Sequence, residues 1–148
     1  MAVYLGDVCK AGRLPSSGRA IRILDSLVKR NSMQLESVIS QLSLKILTAG
    51  AAEDLQNSVS SGCVSDMLSE VMARAPKGCL WITHQSNENI VAIAYFKELS
   101  AILLPNGLRL DAEVLEKASL KRIVILGSSE NAYELAGKLY ALGIKGTP

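Results

Sequence analysis

Aromatic side chains are scarce in this 148-residue chain: one Trp, one Phe and four Tyr, 4% in all. The core must therefore be built from Leu, Ile, Val and Ala, which a 49% hydrophobic content supplies. Histidine occurs once, at His84, which argues against a histidine-based metal site. The three cysteines, Cys9, Cys63 and Cys79, are odd in number and form no CxxC. Neither a disulfide framework nor a zinc site is indicated, and a reducing, cytoplasmic compartment is expected. No apolar run reaches the ~18 residues of a membrane span. The chain also does not open with a basic start followed by a continuous apolar stretch, the mark of a secretory signal. Neither cofactor nor metal is expected.

The net charge of +2 is spread unevenly. Residues 1–31 hold Lys10, Arg13, Arg19, Arg22, Lys29 and Arg30 against Asp7 and Asp25, a net of +4 that leaves −2 elsewhere. Six basic residues at that spacing are too sparse to argue for nucleic acid. Gly6, Gly12 and Pro15 punctuate the first 17 residues, and residues 18–30 place Ile21, Leu24, Leu27 and Val28 at helical spacing. Residues 1–32 thus read as an N-terminal extension, a loop and then a helix, or as the product of a start codon chosen too far upstream.

From Met33 onward, helical and strand periods alternate. Helices are expected over residues 34–42, 66–75, 87–99, 111–120 and 129–142. Strands are expected over 44–50, 59–66, 79–83, 100–105 and 122–127, with a polar loop at 51–58. Ser65 or Asp66 would cap the second helix, with Met67, Leu68, Val71 and Met72 buried; Ser129 would cap the last. Gly143 followed by Ile144 reads as a left-handed cap with its hydrophobic contact. Gly62 suggests close backbone approach, and Gly137 a close helix contact. Apolar strands bracketed by helices imply an α/β fold: three layers, a mainly parallel sheet with helices on both faces, over residues 33–146.

Ligands of such sheets collect beyond the carboxyl ends of the parallel strands. Three loops would meet there, residues 83–89, 105–109 and 127–130. They nominate Thr83, His84, Gln85, Asn89, Asn106, Gly107, Gly127 and Ser128 as ligand-binding candidates. Two of the loops lead into helix N-termini, where free N–H groups favour an anion. Ser86, Asn87 and Ser129 have capping to do first. A catalytic His84 would need an orienting partner and a nucleophile. Glu88 could approach it, but no nucleophile motif surrounds it, so no catalytic residue is assigned. The P-loop pattern GxxxxGK[ST] is absent, because Lys138 precedes Leu139.

The run GCVSDMLSEVMARAPKGCLWITHQSNENIVAIAYFKELSAILLPNG, with AYELAGKLYALGI after it, resembles the DRTGG domain family over residues 33–144. That family includes the amino-terminal domain of HPr kinase/phosphorylase, a segment of some phosphotransacetylases and an insert between CBS domains of some pyrophosphatases. The name-giving motif is degenerate here: Asn57-Ser58-Val59-Ser60-Ser61-Gly62 keeps only its last glycine. The resemblance implies an α/β regulatory or ligand-sensing domain, usually part of a dimer; with the strand-end loops, a non-catalytic homodimer that binds a nucleotide or small anionic metabolite there, or has a larger enzyme as partner, is expected. A pure protein-interaction subunit is the alternative.

Overall fold

A computed structural model describes residues 32–50 and 52–148. The expected extension over residues 1–32, with its helix at 18–30 and Cys9, lies outside the described residues except for Ser32. A period of two in the strand residues generates the main sheet. In β5 (Cys79–Ile82) every side chain is buried, Cys79 and Trp81 on one face and Leu80 and Ile82 on the other. β6 (Ala101–Leu104) and β7 (Ile125–Gly127) divide in the same way, with Ile102, Leu104 and Ile125 opposite Ala101, Leu103 and Leu126. Strands buried on both faces read as continuous apolar runs, and parallel pairing suits them.

The sheet has five strands, in the order β2 (Lys45–Ile46), β7, β6, β5, β4 (Ser61–Val64). The pairs β4–β5, β5–β6 and β6–β7 are parallel, whereas β2 runs antiparallel to β7. From β4 to β7 the chain steps one strand at a time in a single direction. Right-handed crossovers then put every connecting helix on the same face. Those helices are α2 (Leu68–Arg74), α3 (Asn89–Phe96) and α4 (Ala112–Leu120). Val71, Ile90, Ala94, Val114 and Ala118 pack there with Trp81 and Ile102. The other face is covered by α1 (Leu35–Leu42) and α5 (Ala132–Ala141), through Leu35, Val38, Leu135 and Leu139. The architecture is the expected three-layer α/β sandwich.

Local departures have local causes. The strand expected at 59–66 is two: β3 (Ser58–Val59) leaves the main sheet to pair antiparallel with β1 (Met33–Gln34), and β4 begins at Ser61. Met67 is 63% exposed and Met72 37%, not buried, because α2 turns only Val71 fully inward. Asn131, not Ser129, caps α5, its side chain accepting from the Glu134 N–H at 2.9 Å. Gly137 faces open space instead of a packed helix. Gly143 does adopt φ +95°, and Ile144 folds back so that its N–H meets the Leu139 carbonyl.

Candidate functional site

Each strand-end loop begins where a parallel strand runs out of pairing. β5 ends at Ile82, and Thr83 follows with its N–H still on the Leu103 carbonyl. Thr83 is wholly buried, so its hydroxyl must be satisfied internally. It donates to Asp66 Oδ1 at 2.9 Å and accepts from the Gln85 N–H at 3.1 Å. Asp66 therefore does not cap α2. Its carboxylate also receives the His84 N–H at 2.6 Å on Oδ1 and His84 Nδ1 at 3.2 Å on Oδ2, and its carbonyl receives Gln85 Nε2 at 3.0 Å. Partial burial pushes the Asp66 carboxyl upward. The donations from the His84 N–H and the Thr83 hydroxyl, and the charge and hydrogen bond of the imidazole, outweigh it and hold the group below its usual value of 3.8.

An ionised Asp66 at Nδ1 places the proton of a neutral His84 on that nitrogen and leaves Nε2 as the acceptor. Nε2 lies 3.2 Å from Nδ2 of Asn106 in the next loop. Asn106 takes φ +57° and Gly107 +65°, a left-handed pair that bends the chain back after β6. Their N–H groups reach the carbonyls of Glu130 and Ser128 at 2.8 and 2.7 Å. The three loops are thus tied in series, Asp66 to His84 to Asn106 to the 128–130 turn. The sheet has no point at which strand order reverses, so no switch-point crevice opens between them. They form a polar ridge, with the His84 and Asp66 side chains 44% and 52% exposed.

The remaining candidates divide. Gln85 Oε1 holds Asn87 Nδ2, and Asn87 caps the start of α3 by accepting from the Asn89 N–H. Asn89 is exposed at the head of that helix. Ser128 Oγ accepts from the Glu130 N–H. Gly127 is buried in β7 against Leu47, whose Cδ1 would stand 3.2 Å from an added Cβ; it packs the antiparallel edge and stands apart from the ridge. Glu88 turns away from His84 to pair with Lys117. Lys117 also pairs with Glu113, and Lys138 with Glu130, whereas Arg109, exposed at the end of the 105–109 loop, forms no ion pair among the described residues. Asp66 is the residue that sequence reasoning missed as a site residue. Its position between a strand and a helix reads as an N-cap, and only the parallel β4–β5 register brings it to Thr83 and His84.

The ridge orients an imidazole as a general base requires, but Nε2 meets an amide and, among the described residues, no hydroxyl or thiol is in contact with it. The thiols Cys63 and Cys79 lie elsewhere, 3.4 Å apart on neighbouring strands. Contact with Cys79, burial and the Glu70 charge push the Cys63 thiol upward, away from thiolate reactivity. No group of three or more His, Cys, Asp or Glu able to hold a metal occurs among the described residues, and no helix there is long and apolar enough to cross a membrane.

The sequence profile of the DRTGG domain matches residues 37–142. The chain belongs to the DRTGG domain family. The DRTGG fold is also seen in a solved structure of the CBS and DRTGG domains of the regulatory region of Clostridium perfringens pyrophosphatase, complexed with its activator, diadenosine tetraphosphate. The TM-score is 0.61 at 15% identity, over 82% of this chain and 50% of that one. At that identity the likeness shows the fold alone, and this chain spans half the length of its neighbour. No match was found among curated proteins. The stretch that departs from the DRTGG motif, residues 57–62, crosses from β3 to β4. Here Ser60 donates its hydroxyl to the Lys77 carbonyl at 2.8 Å and its N–H to the Gly78 carbonyl, so a serine anchors the crossing.

Proposed function

We propose that this DRTGG domain is a non-catalytic regulatory module, homodimeric or docked on a larger enzyme, that senses a nucleotide or another small anionic metabolite at the strand-end ridge. The observation that carries this reading is the junction of three loops through His84 and Asn106 into one exposed surface of amide and imidazole groups without a nucleophile. Lys117 and Lys138 are paired with carboxylates, so among the described residues Arg109 in the 105–109 loop is the cation left to meet an anionic group. Recognition then rests on hydrogen bonds from Gln85, Asn89 and Asn106 to the uncharged polar part of a ligand, such as a base or sugar. The first N–H groups of α3 are already taken, by the Asn87 side chain and by the Asn87 and Glu88 carbonyls, so they add nothing for an anionic group. The nucleotide activator of the pyrophosphatase regulatory region supports the ligand class. Binding would act by favouring one of two states of the dimer or partner complex, which requires unequal affinity for the two.

A thermal-shift series with diadenosine tetraphosphate, ATP and AMP tests this. A ligand at about 100 times its Kd stabilises by about 2.7 kcal/mol. Saturable stabilisation that His84→Ala and Asn106→Ala both weaken is expected. A flat response to the whole panel would remove the ridge as a nucleotide site.

The interaction-subunit reading has its own support at the opposite end of the sheet. Tyr95 and Phe96, at the end of α3, are 58% and 73% exposed, and Leu120, at the end of α4, is 79% exposed. Lys121 Nζ sits 4.6 Å from the Tyr95 ring centre, which brings the ends of the two helices together. Exposed apolar groups so clustered suit a protein contact. Phe96→Ser should lower the apparent mass by light scattering if this surface joins two copies.

A further inference from the structure

β4 is the outer strand of the sheet, and only part of its free edge is covered. The chain's tail crosses it once, where the Gly62 N–H donates to the Lys145 carbonyl at 2.8 Å and the Thr147 N–H to the Gly62 carbonyl at 3.1 Å. Strand alternation points the N–H and C=O of Val64 outward in the same direction as those of Gly62. Val64 itself is 52% exposed. Helix α2 covers one face of the sheet here and α5 the other, and among the described residues no sixth strand lies between them. The result is a cavity of about 360 Å³ reaching from the Val64 edge into the core.

Its inner walls are apolar: Val71 and Ala75 from α2, Leu139 from α5, Ile82 and Ile144. Its outer part is not. Arg74, one turn beyond Glu70 on α2, lines the cavity and forms no ion pair among the described residues. Glu70 lines the cavity too, but its carboxylate is turned to the Ser65 hydroxyl at 2.7 Å and does not pair with Arg74. On the α5 side, Tyr140 lines the opening with Lys145 Nζ 3.8 Å from its ring centre, a second cation without a carboxylate among the described residues. An apolar recess of this size with cationic groups at its mouth is a small-molecule site in form. We propose that this cavity, distinct from the strand-end ridge, binds an organic anion with an apolar body, its acid group at Arg74 and its body between Val71 and Leu139. None of the ridge residues lines it.

The chain's single tryptophan is a built-in reporter. Trp81 Nε1 donates to the carbonyl of Ser65 at 2.8 Å, and Ser65 lines the cavity. The full chain is titrated with decanoate, with 2-naphthoate and with the neutral decanol, following Trp81 fluorescence and calorimetry. Either acid should bind once per chain, and decanol at least about tenfold more weakly, as loss of a charge-assisted hydrogen bond requires. Arg74→Gln, on an exposed position, should weaken the acids about tenfold. Ala136→Phe, which fills the cavity from α5, should abolish binding, and His84→Ala should leave it unchanged. No saturable binding of either acid, equal binding of acid and alcohol, or acid binding indifferent to Arg74→Gln would overturn the proposal. Loss of binding in His84→Ala would assign the acids to the ridge and overturn it too.

Discussion

Replacing Asp66 probes the local structure of the ridge at the residue on which it converges. In Asp66→Ala the buried Thr83 hydroxyl loses its acceptor, and an unsatisfied buried donor costs about 1–3 kcal/mol. The contacts with His84 are half open to water, so they add only about 0–1 kcal/mol. The expected loss is about 1–4 kcal/mol, or roughly 4–16 °C in Tm for a domain of this size. Asp66→Asn keeps an oxygen for Thr83 and the His84 N–H and should cost about 1 kcal/mol. The two variants also separate by pH. The folded Asp66 holds its proton only below the unfolded value of 3.8, so its charge stabilises the fold fully above that value. That contribution fades as pH falls through the lower folded value. The gap between wild type and Asp66→Asn, measured by urea unfolding, should therefore be fully present above about pH 4 and narrow as the pH drops below it. A cost under about 0.5 kcal/mol for Asp66→Ala, or a gap that does not change with acid, would refute this account of the ridge.

Further outcomes are expected elsewhere. Asn131→Ala should cost about 1 kcal/mol by removing the α5 cap, while Ser129→Ala should cost almost nothing; equal effects in thermal melts would contradict the cap assignment. Leu126→Ala removes a fully buried side chain from the central sheet and should cost about 2–5 kcal/mol in chemical unfolding. Deleting residues 1–32 should leave a cooperative melt, since among the described residues apolar clusters cover both faces of the sheet from Met33 onward. A non-cooperative melt of the truncated chain would show that the domain begins earlier.

Period and length carried much of the fold. The runs at 79–83, 100–105 and 122–127 are apolar at every position, and such runs belong in a sheet covered on both faces. The helix at 66–75 followed from 3.6-residue spacing, and the one at 87–99, apolar on nearly every side, from its length and its alanines. What the sequence did not disclose depends on distant partners. Nothing local distinguishes Lys45–Ile46 as an antiparallel edge, or sends Ser58–Val59 to pair with Met33–Gln34. Met67 and Met72 looked like core because they are apolar at helical positions, yet α2 sits at the rim of the sheet, where Val71 is buried and Leu68 only partly so. Of the ridge, the three loops and His84 were legible as strand-end polar segments. Asp66 was not, because strand–Asp–helix is also how an N-cap reads; the competing demand of buried Thr83 decides its role. The β4-edge cavity left no local trace either, since it is made by a missing neighbour on the sheet.

The ridge as a sensing surface is the central claim, and an amide-resolved NMR titration of the full chain with ATP tests it most directly. The expected result is saturable shifts in the backbone amides of His84, Gln85 and Gly107 and in the side-chain amides of Gln85, Asn89 and Asn106, lost together in His84→Ala. Saturating ATP that leaves those resonances in place, or that moves only residues of α2 and α5, would contradict it.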